Sequence, residues 1–142
     1  MDISSLIGPL EIQFLIGLAL SLVIGYIIGA ERESRGKDAG ISTHMLVIAG
    51  AMLFTLISST VDPMSESRIA AQIVSGIGFL GAGLILKEGA SVKNLTTASS
   101  MWFAGALGMS IGFGFYAIAI VAGIASAIIP RIPHINDKKT DR

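Results

Sequence analysis

Residues 98–129, ASSMWFAGALGMSIGFGFYAIAIVAGIASAII, run for 32 positions without one charged side chain. As a single α-helix this stretch would be ~48 Å long at about 1.5 Å per residue, against ~30 Å of hydrocarbon in a bilayer. Two shorter helices folded at Gly112-Phe113-Gly114 use the length better, because glycine reaches turn conformations closed to other residues. A fourth helix then starts near Leu95, and a fifth ends before Pro130, which stops it together with Pro133.

Working outward, three more apolar stretches precede this one. Ile12 to Ala30 is interrupted only by Gln13, Ser21 and Tyr26; the second runs from about Met45 to Val61; the third, Ile69 to Leu86, is bracketed by Arg68 and Lys87. Each fits one crossing of about 20 residues. None shows the period-2 alternation of a barrel strand, so no strand is expected. The first is read as a retained span, not a cleaved signal, because Met1 to Gly29 holds no Lys or Arg.

Composition agrees. Of 142 residues, 52% are hydrophobic, 17 are glycine and only 14% are charged, where a soluble domain carries about 25%. One small core cannot bury that excess. The absence of cysteine excludes a disulfide framework, a thiolate metal site and a Cys nucleophile. Ten basic residues balance ten acidic ones, so there is no basic footprint for nucleic acid.

With five helices, nine of the ten Lys and Arg fall on one side: Arg32, Arg35 and Lys37, then Lys87 and Lys93, then Arg131, Lys138, Lys139 and Arg142. Arg68 alone lies opposite. Four helices would split the charges evenly. Basic loops stay in the cytoplasm. The expected fold is therefore an all-α, polytopic transmembrane bundle of about five spans, N-terminus outside and C-terminus cytoplasmic. Residues 1–130 form the membrane domain and 131–142 a polar cytoplasmic tail.

Helices in lipid associate through close packing of small residues. Gly17, Ser21, Gly25 and Gly29 make such a ridge on helix 1; Ser100, Ala104, Gly108 and Gly112, with Gly105 nearby, do so on helix 4; Ala119, Gly123 and Ala127 on helix 5. The sequence leaves open whether these contacts lie within one chain or between chains. In helix 3, Gly76, Gly78 and Gly81 spell a G-x-G-x-x-G pattern. That pattern binds dinucleotides only between a strand and a helix start, and here it is embedded in an apolar run. The better reading is that Gly76, Gly78, Gly81 and Gly83 let neighbours approach several faces of helix 3, or break it locally beside a cavity.

Polar residues gather at the expected cytoplasmic side. Glu31 and Arg32 directly follow the helix 1 ridge, Arg35 comes next, and Thr43 and His44 open helix 2. Glu88, Asn94, Thr96 and Thr97 lie in or after the loop before helix 4, with Trp102 an interface anchor in its first turns. Such oxygens suit a hard ion such as Mg2+ or a partner surface; an ordinary interfacial belt explains Arg35, Lys37 and Lys93 equally well. A Glu31–Arg32 pair would let both sit partly inside the membrane. Arg68, Gln72 and Ser75 share a face of helix 3, and an amide at that depth needs a partner on another helix. No nucleophile–base–orienter set and no His pair at ligand spacing is present, so no enzyme is expected.

Three blocks taken together resemble the MgtC/SapB family of bacterial membrane proteins. They are Gly29-Ala30-Glu31-Arg32-Glu33 with Gly36-Lys37 and Gly40-Ile41-Ser42-Thr43-His44; Arg68 through Gly83; and Leu95-Thr96-Thr97-Ala98-Ser99-Ser100-Met101-Trp102. The resemblance implies a multi-pass protein of the bacterial inner membrane tied to Mg2+ limitation. In the virulence-associated branch it also implies restraint of the F-type ATP synthase. That branch resembles a longer architecture with a soluble domain after the membrane part. It tends to carry Asn where Thr96 stands and Cys where Phe103 stands, so the shorter SapB-like form is expected here. Glu31, Arg32, Arg35, Thr43, His44, Arg68, Gln72, Glu88, Thr96, Thr97 and Trp102 match family-type positions.

Two functions are expected in turn. The first is a regulatory interaction protein without a cofactor, docking a second copy (a homodimer or other homo-oligomer) or another membrane protein, such as the ATP synthase or a Mg2+ transporter. The alternative is a transporter or channel in which Gln72, Ser75 and the helix 3 glycines line a polar path ending at Glu31 and Glu88. A Mg2+ path wants several carboxylates, because the ion sheds water reluctantly. The first reading is preferred.

Overall fold

The computed structural model describes residues 8–61, 63–65, 67–88 and 91–132. It contains five helices, α1 (Pro9–Ser34), α2 (Ile41–Val61), α3 (Ser67–Leu84), α4 (Leu95–Gly112) and α5 (Tyr116–Ile128), the last running into a 3-10 turn at Ile129–Arg131. Pro9 starts α1, where a missing N–H costs nothing, and the Glu11 carboxylate accepts the Gly8 N–H at 2.8 Å. The fourth helix begins at the expected residue and the fifth ends where Pro130 requires.

The fold between them also lies where the sequence places it. Gly114 has φ +80°, and its N–H and that of Phe115 close the last turn of α4 on Ile111 and Ser110 carbonyls at 2.9 and 2.8 Å. A side chain would strain that left-handed backbone.

One expectation fails. The third helix ends at Leu84, and Leu86–Glu88 (β1) pairs antiparallel with Ser91–Lys93 (β2) in a small hairpin. Its strands are three residues each, too short to show any alternation in the sequence. Nor is α3 broken: it runs without interruption from Ser67 to Leu84.

The packing order follows from the contacts. Gly25 lies against Met45 and Gly29 against Ile41, while Gly17 meets Met52, so α1 and α2 run antiparallel. Ser100 approaches His44, Gly108 approaches Ile48 and Gly112 approaches Thr55, so α4 runs parallel to α2. Gly105 lies on Ile77 and Gly81 on Ala98, making α3 antiparallel to α4; Gly123 sits on Ile24 and Arg35 reaches the Pro130 carbonyl, making α5 parallel to α1. Three helices thus point one way and two the other. The ends of α1, α3 and α5 and the starts of α2 and α4 meet at one end of the bundle.

The core has two parts. Ile24 and Ile28 of α1, Ile48 and Met52 of α2, Leu107 and Ile111 of α4 and Ala119 of α5 form the larger cluster. Ala51 with Ala70, Ile73 and Ile77 attaches α3 to α2. Many other apolar side chains face outward, among them Leu15, Val23, Phe54, Phe79 and Val121. By length and composition α1 and α2 can cross a membrane; α5, at 13 residues, spans ~20 Å.

Several hydroxyls inside the helices are satisfied locally. Thr55 donates to the Ala51 carbonyl at 2.8 Å, Thr60 to Leu56 at 2.7 Å and Ser110 to Ala106 at 2.9 Å. Back-bonding of this kind lets Ser and Thr sit in an apolar helix without an outside partner.

Candidate functional site

The end where α1, α3 and α5 finish holds a buried polar cluster. Arg32, in the last turns of α1, is 1% exposed, and its Nη2 donates to Thr97 Oγ1 of α4 at 2.8 Å. Thr97 is buried as fully as its partner. A guanidinium is tolerated away from water only where such partners are fixed, so this bond ties α1 to α4. The Arg32 Nε finds no acceptor.

Glu31, one position earlier, is 6% exposed. Its Oε1 takes Arg35 at 3.3 Å and faces Arg131 at 4.0 Å, while Oε2 is buried without a donor. Arg35 also donates to the Pro130 carbonyl. The ends of α1 and α5 are thereby clamped around one carboxylate. Since Arg35 is partly and Arg131 largely solvent-exposed, the clamp is screened on its outer side, and the buried Arg32 tie is the stronger constraint.

His44 has no exposed surface. Its Nδ1 lies 2.9 Å from the Gly40 carbonyl and its Nε2 3.3 Å from Ser100 Oγ of α4. Ser100 Oγ also donates to the Thr97 carbonyl at 2.8 Å. At the rim, Asn94 adopts φ +64° at the start of α4 and donates to Asp38 Oδ2 at 2.7 Å, and Glu33 accepts the Ile41 N–H at 2.9 Å, starting α2.

Of the residues singled out from sequence, the structure therefore brings together Glu31, Arg32, Arg35, His44 and Thr97, with Asn94 beside them. Thr43 is partly buried and its hydroxyl has no partner among the described residues; Thr96 and Trp102 face outward. Glu88 ends β1. Arg68, Gln72 and Ser75 sit on exposed positions of α3, Arg68 at the opposite end of the bundle. Gln72 lines an apolar groove of about 540 Å3 between α2 and α3, with Val47, Gly50, Phe54, Ile73 and Gly76. The partner expected for it on another helix is not found among the described residues of this chain.

The small-residue ridges divide sharply. Those of α1 and α4 are consumed within the chain: a Cβ on Gly25 would lie 2.6 Å from Met45 Cα, and one on Gly112 2.5 Å from Thr55 Cβ. Gly105 is filled by the tip of Ile77. Ser21 is wholly buried on the same ridge, with its hydroxyl unpartnered. On α3 an added Cβ would meet a neighbour among the described residues only at Gly81, the Ala98 carbonyl at 3.5 Å; at Gly76, Gly78 and Gly83 it would meet nothing within 4 Å. The reason is position: α3 packs through Ala70, Ile73 and Ile77, and its glycines lie mostly off that face.

Sequence reasoning missed three contributors. Ser100 was read as packing surface, although its place three residues after Thr97 puts both on one face. Arg131 was read as tail charge, and the Asp38–Asn94 bond, 56 residues apart, leaves no trace in the sequence. Among the described residues, no group of three His, Asp or Glu side chains could hold a metal ion.

Comparison with known proteins gives consistent results. A family model described as the MgtC family matches residues 18–134. Protein MgtC of Salmonella typhimurium is 45% identical over 115 residues, 81% of this chain and 50% of that protein. The putative magnesium transporter YhiD of Escherichia coli K12 is 39% identical over 131 residues, 86% of this chain and 61% of that one. Protein MgtC of Brucella abortus is 47% identical over 108 residues, 75% and 45% of the two chains. The chain thus spans about half the length of the curated relatives it matches. No solved structure matches it.

Proposed function

The chain belongs to the MgtC family, and from that premise we propose that it is a non-enzymatic regulatory protein of the bacterial inner membrane. It serves Mg2+ homeostasis or adaptation to low Mg2+ by helix–helix association with a second copy or a partner membrane protein. All five helices cross the bilayer, with the N-terminus outside. The alternating helix directions support this reading, as does the placement of Arg32, Arg35 and Arg131 at one end and Arg68 at the other.

The observation that carries the association is the outer face of α3. Gly76 and Gly83 share one face, where an added Cβ would meet nothing within 4 Å among the described residues, and on the same face Gln72 lines the groove against α2 without a partner among the described residues. In lipid, bare glycines allow a second helix to approach closely, and an exposed amide gains by bonding to it. Cross-linking in nanodiscs tests this. Gly76→Leu and Gly83→Leu are expected to abolish the cross-linked species while leaving the monomer folded; a cross-linked species that survives both counts against the reading.

A second reading, Mg2+ transport, is favoured by the name of the Escherichia coli relative, putative magnesium transporter YhiD. In proteoliposomes the regulatory reading expects no Mg2+ flux above protein-free vesicles. Flux that is lost in Gln72→Ala would replace it.

A further inference from the structure

With a neutral ring, no arrangement of protons makes all the hydrogen bonds around His44. A carbonyl only accepts, so the 2.9 Å contact with Gly40 requires the proton on Nδ1. Ser100 has one hydroxyl proton and two acceptors in reach, the Thr97 carbonyl at 2.8 Å and His44 Nε2 at 3.3 Å. With a neutral ring the hydroxyl serves one and abandons the other. With a charged ring Nε2 becomes a donor, Ser100 accepts from it, and its own proton goes to Thr97; every contact is then made.

That arrangement has an electrostatic cost. The charges acting on the ring come from α1, Arg32 and Glu31; α4 offers it Thr97 and Ser100, which are uncharged, and the loop before α2 offers the Gly40 carbonyl. Arg32 is 1% and His44 0% exposed, so water screens little of their repulsion. Glu31 Oε1 is already engaged by Arg35, and only Oε2 remains unpartnered.

We propose that His44 is a proton-controlled latch among α1, α2 and α4. Uptake of a proton reverses its hydrogen bond with Ser100, sets a second positive charge beside Arg32 and loosens the Arg32–Thr97 tie. The latch couples the proton concentration at this end of the bundle to the seating of α4. It goes beyond the proposed association and does not depend on it: α3 and its bare face take no part in it.

The test uses the full chain in nanodiscs of neutral lipid. The sequence holds two histidines, so a His134→Gln background leaves His44 as the sole reporter. Ring 15N resonances are expected to titrate between pH 8 and pH 5, and the apparent Tm to fall by about 3 °C or more on the same acidification. His44→Gln keeps a donor and an acceptor but no titration, and is expected to flatten the Tm profile. Ser100→Ala removes the acceptor for the charged ring and should displace the titration midpoint by about one unit. If His44→Gln does not fold, the ring titration and Ser100→Ala decide alone. A ring whose resonances stay unchanged to pH 5, or a Tm profile that persists in His44→Gln, overturns the latch. Neither result bears on the cross-linking experiment.

Discussion

Gly29 and Gly78 are the same residue in two helices of similar hydrophobicity, and they do opposite things. At Gly29 the backbone of α1 rests on that of α2, with Ile41 and Gly40 occupying the place of a side chain. At Gly78 a side chain's first carbon would meet nothing within 4 Å among the described residues. A glycine in an apolar helix is therefore not itself a contact; it is a permission, used where a second backbone has arrived. In α1 and α4 the rest of the chain uses it, and in α3 the surface is left over.

Substitution should separate the two kinds most clearly at Gly29. Alanine gains about 1 kcal/mol of helix propensity, but its methyl collides with main-chain atoms that cannot swing aside. Gly29→Ala is expected to cost about 3 kcal/mol net and to deplete the folded fraction in a thermal melt in detergent. Arg32→Ala comes next. Removing the guanidinium strands the Thr97 hydroxyl and leaves Glu31 with fewer cations, an expected loss of about 2–3 kcal/mol by the same measurement. Gly105→Ala lies between the extremes, because its obstacle is the mobile tip of Ile77; about 1 kcal/mol should be lost. Gly78→Ala should raise the stability of the monomer by about 0.5–1 kcal/mol. A loss at Gly78 comparable to that at Gly29 would erase the distinction between the two surfaces.

The helices and the turn at Gly114 were legible because uninterrupted apolar length and chain-breaking residues are local signals. The clustering of Glu31, Arg32, His44 and Thr97 was legible only in part: charge asymmetry brings them to one end, but nothing local says that Arg32 points at Thr97 and Glu31 at Arg131. Those pairings are set by helix rotation, which depends on how closely each glycine ridge seats. The hairpin at 86–93 was lost because three-residue strands carry no periodicity. Depth alone asks for a partner for Gln72 on another helix, and depth does not reveal which side of a peripheral helix faces its neighbours.

The Arg32–Thr97 bond joins residues 65 positions apart, and this bears on how the protein is made. The α1–α2 hairpin can zip together as soon as its two halves emerge, since every atom of that seam comes from consecutive helices. Arg32, by contrast, leaves the ribosome with its acceptor still untranslated, for roughly 3–13 s at the usual rate of synthesis. During that wait its charge has to be held by water, headgroups or the insertion machinery. Delivery of α4 is then the event that draws it inward and completes the nascent bundle.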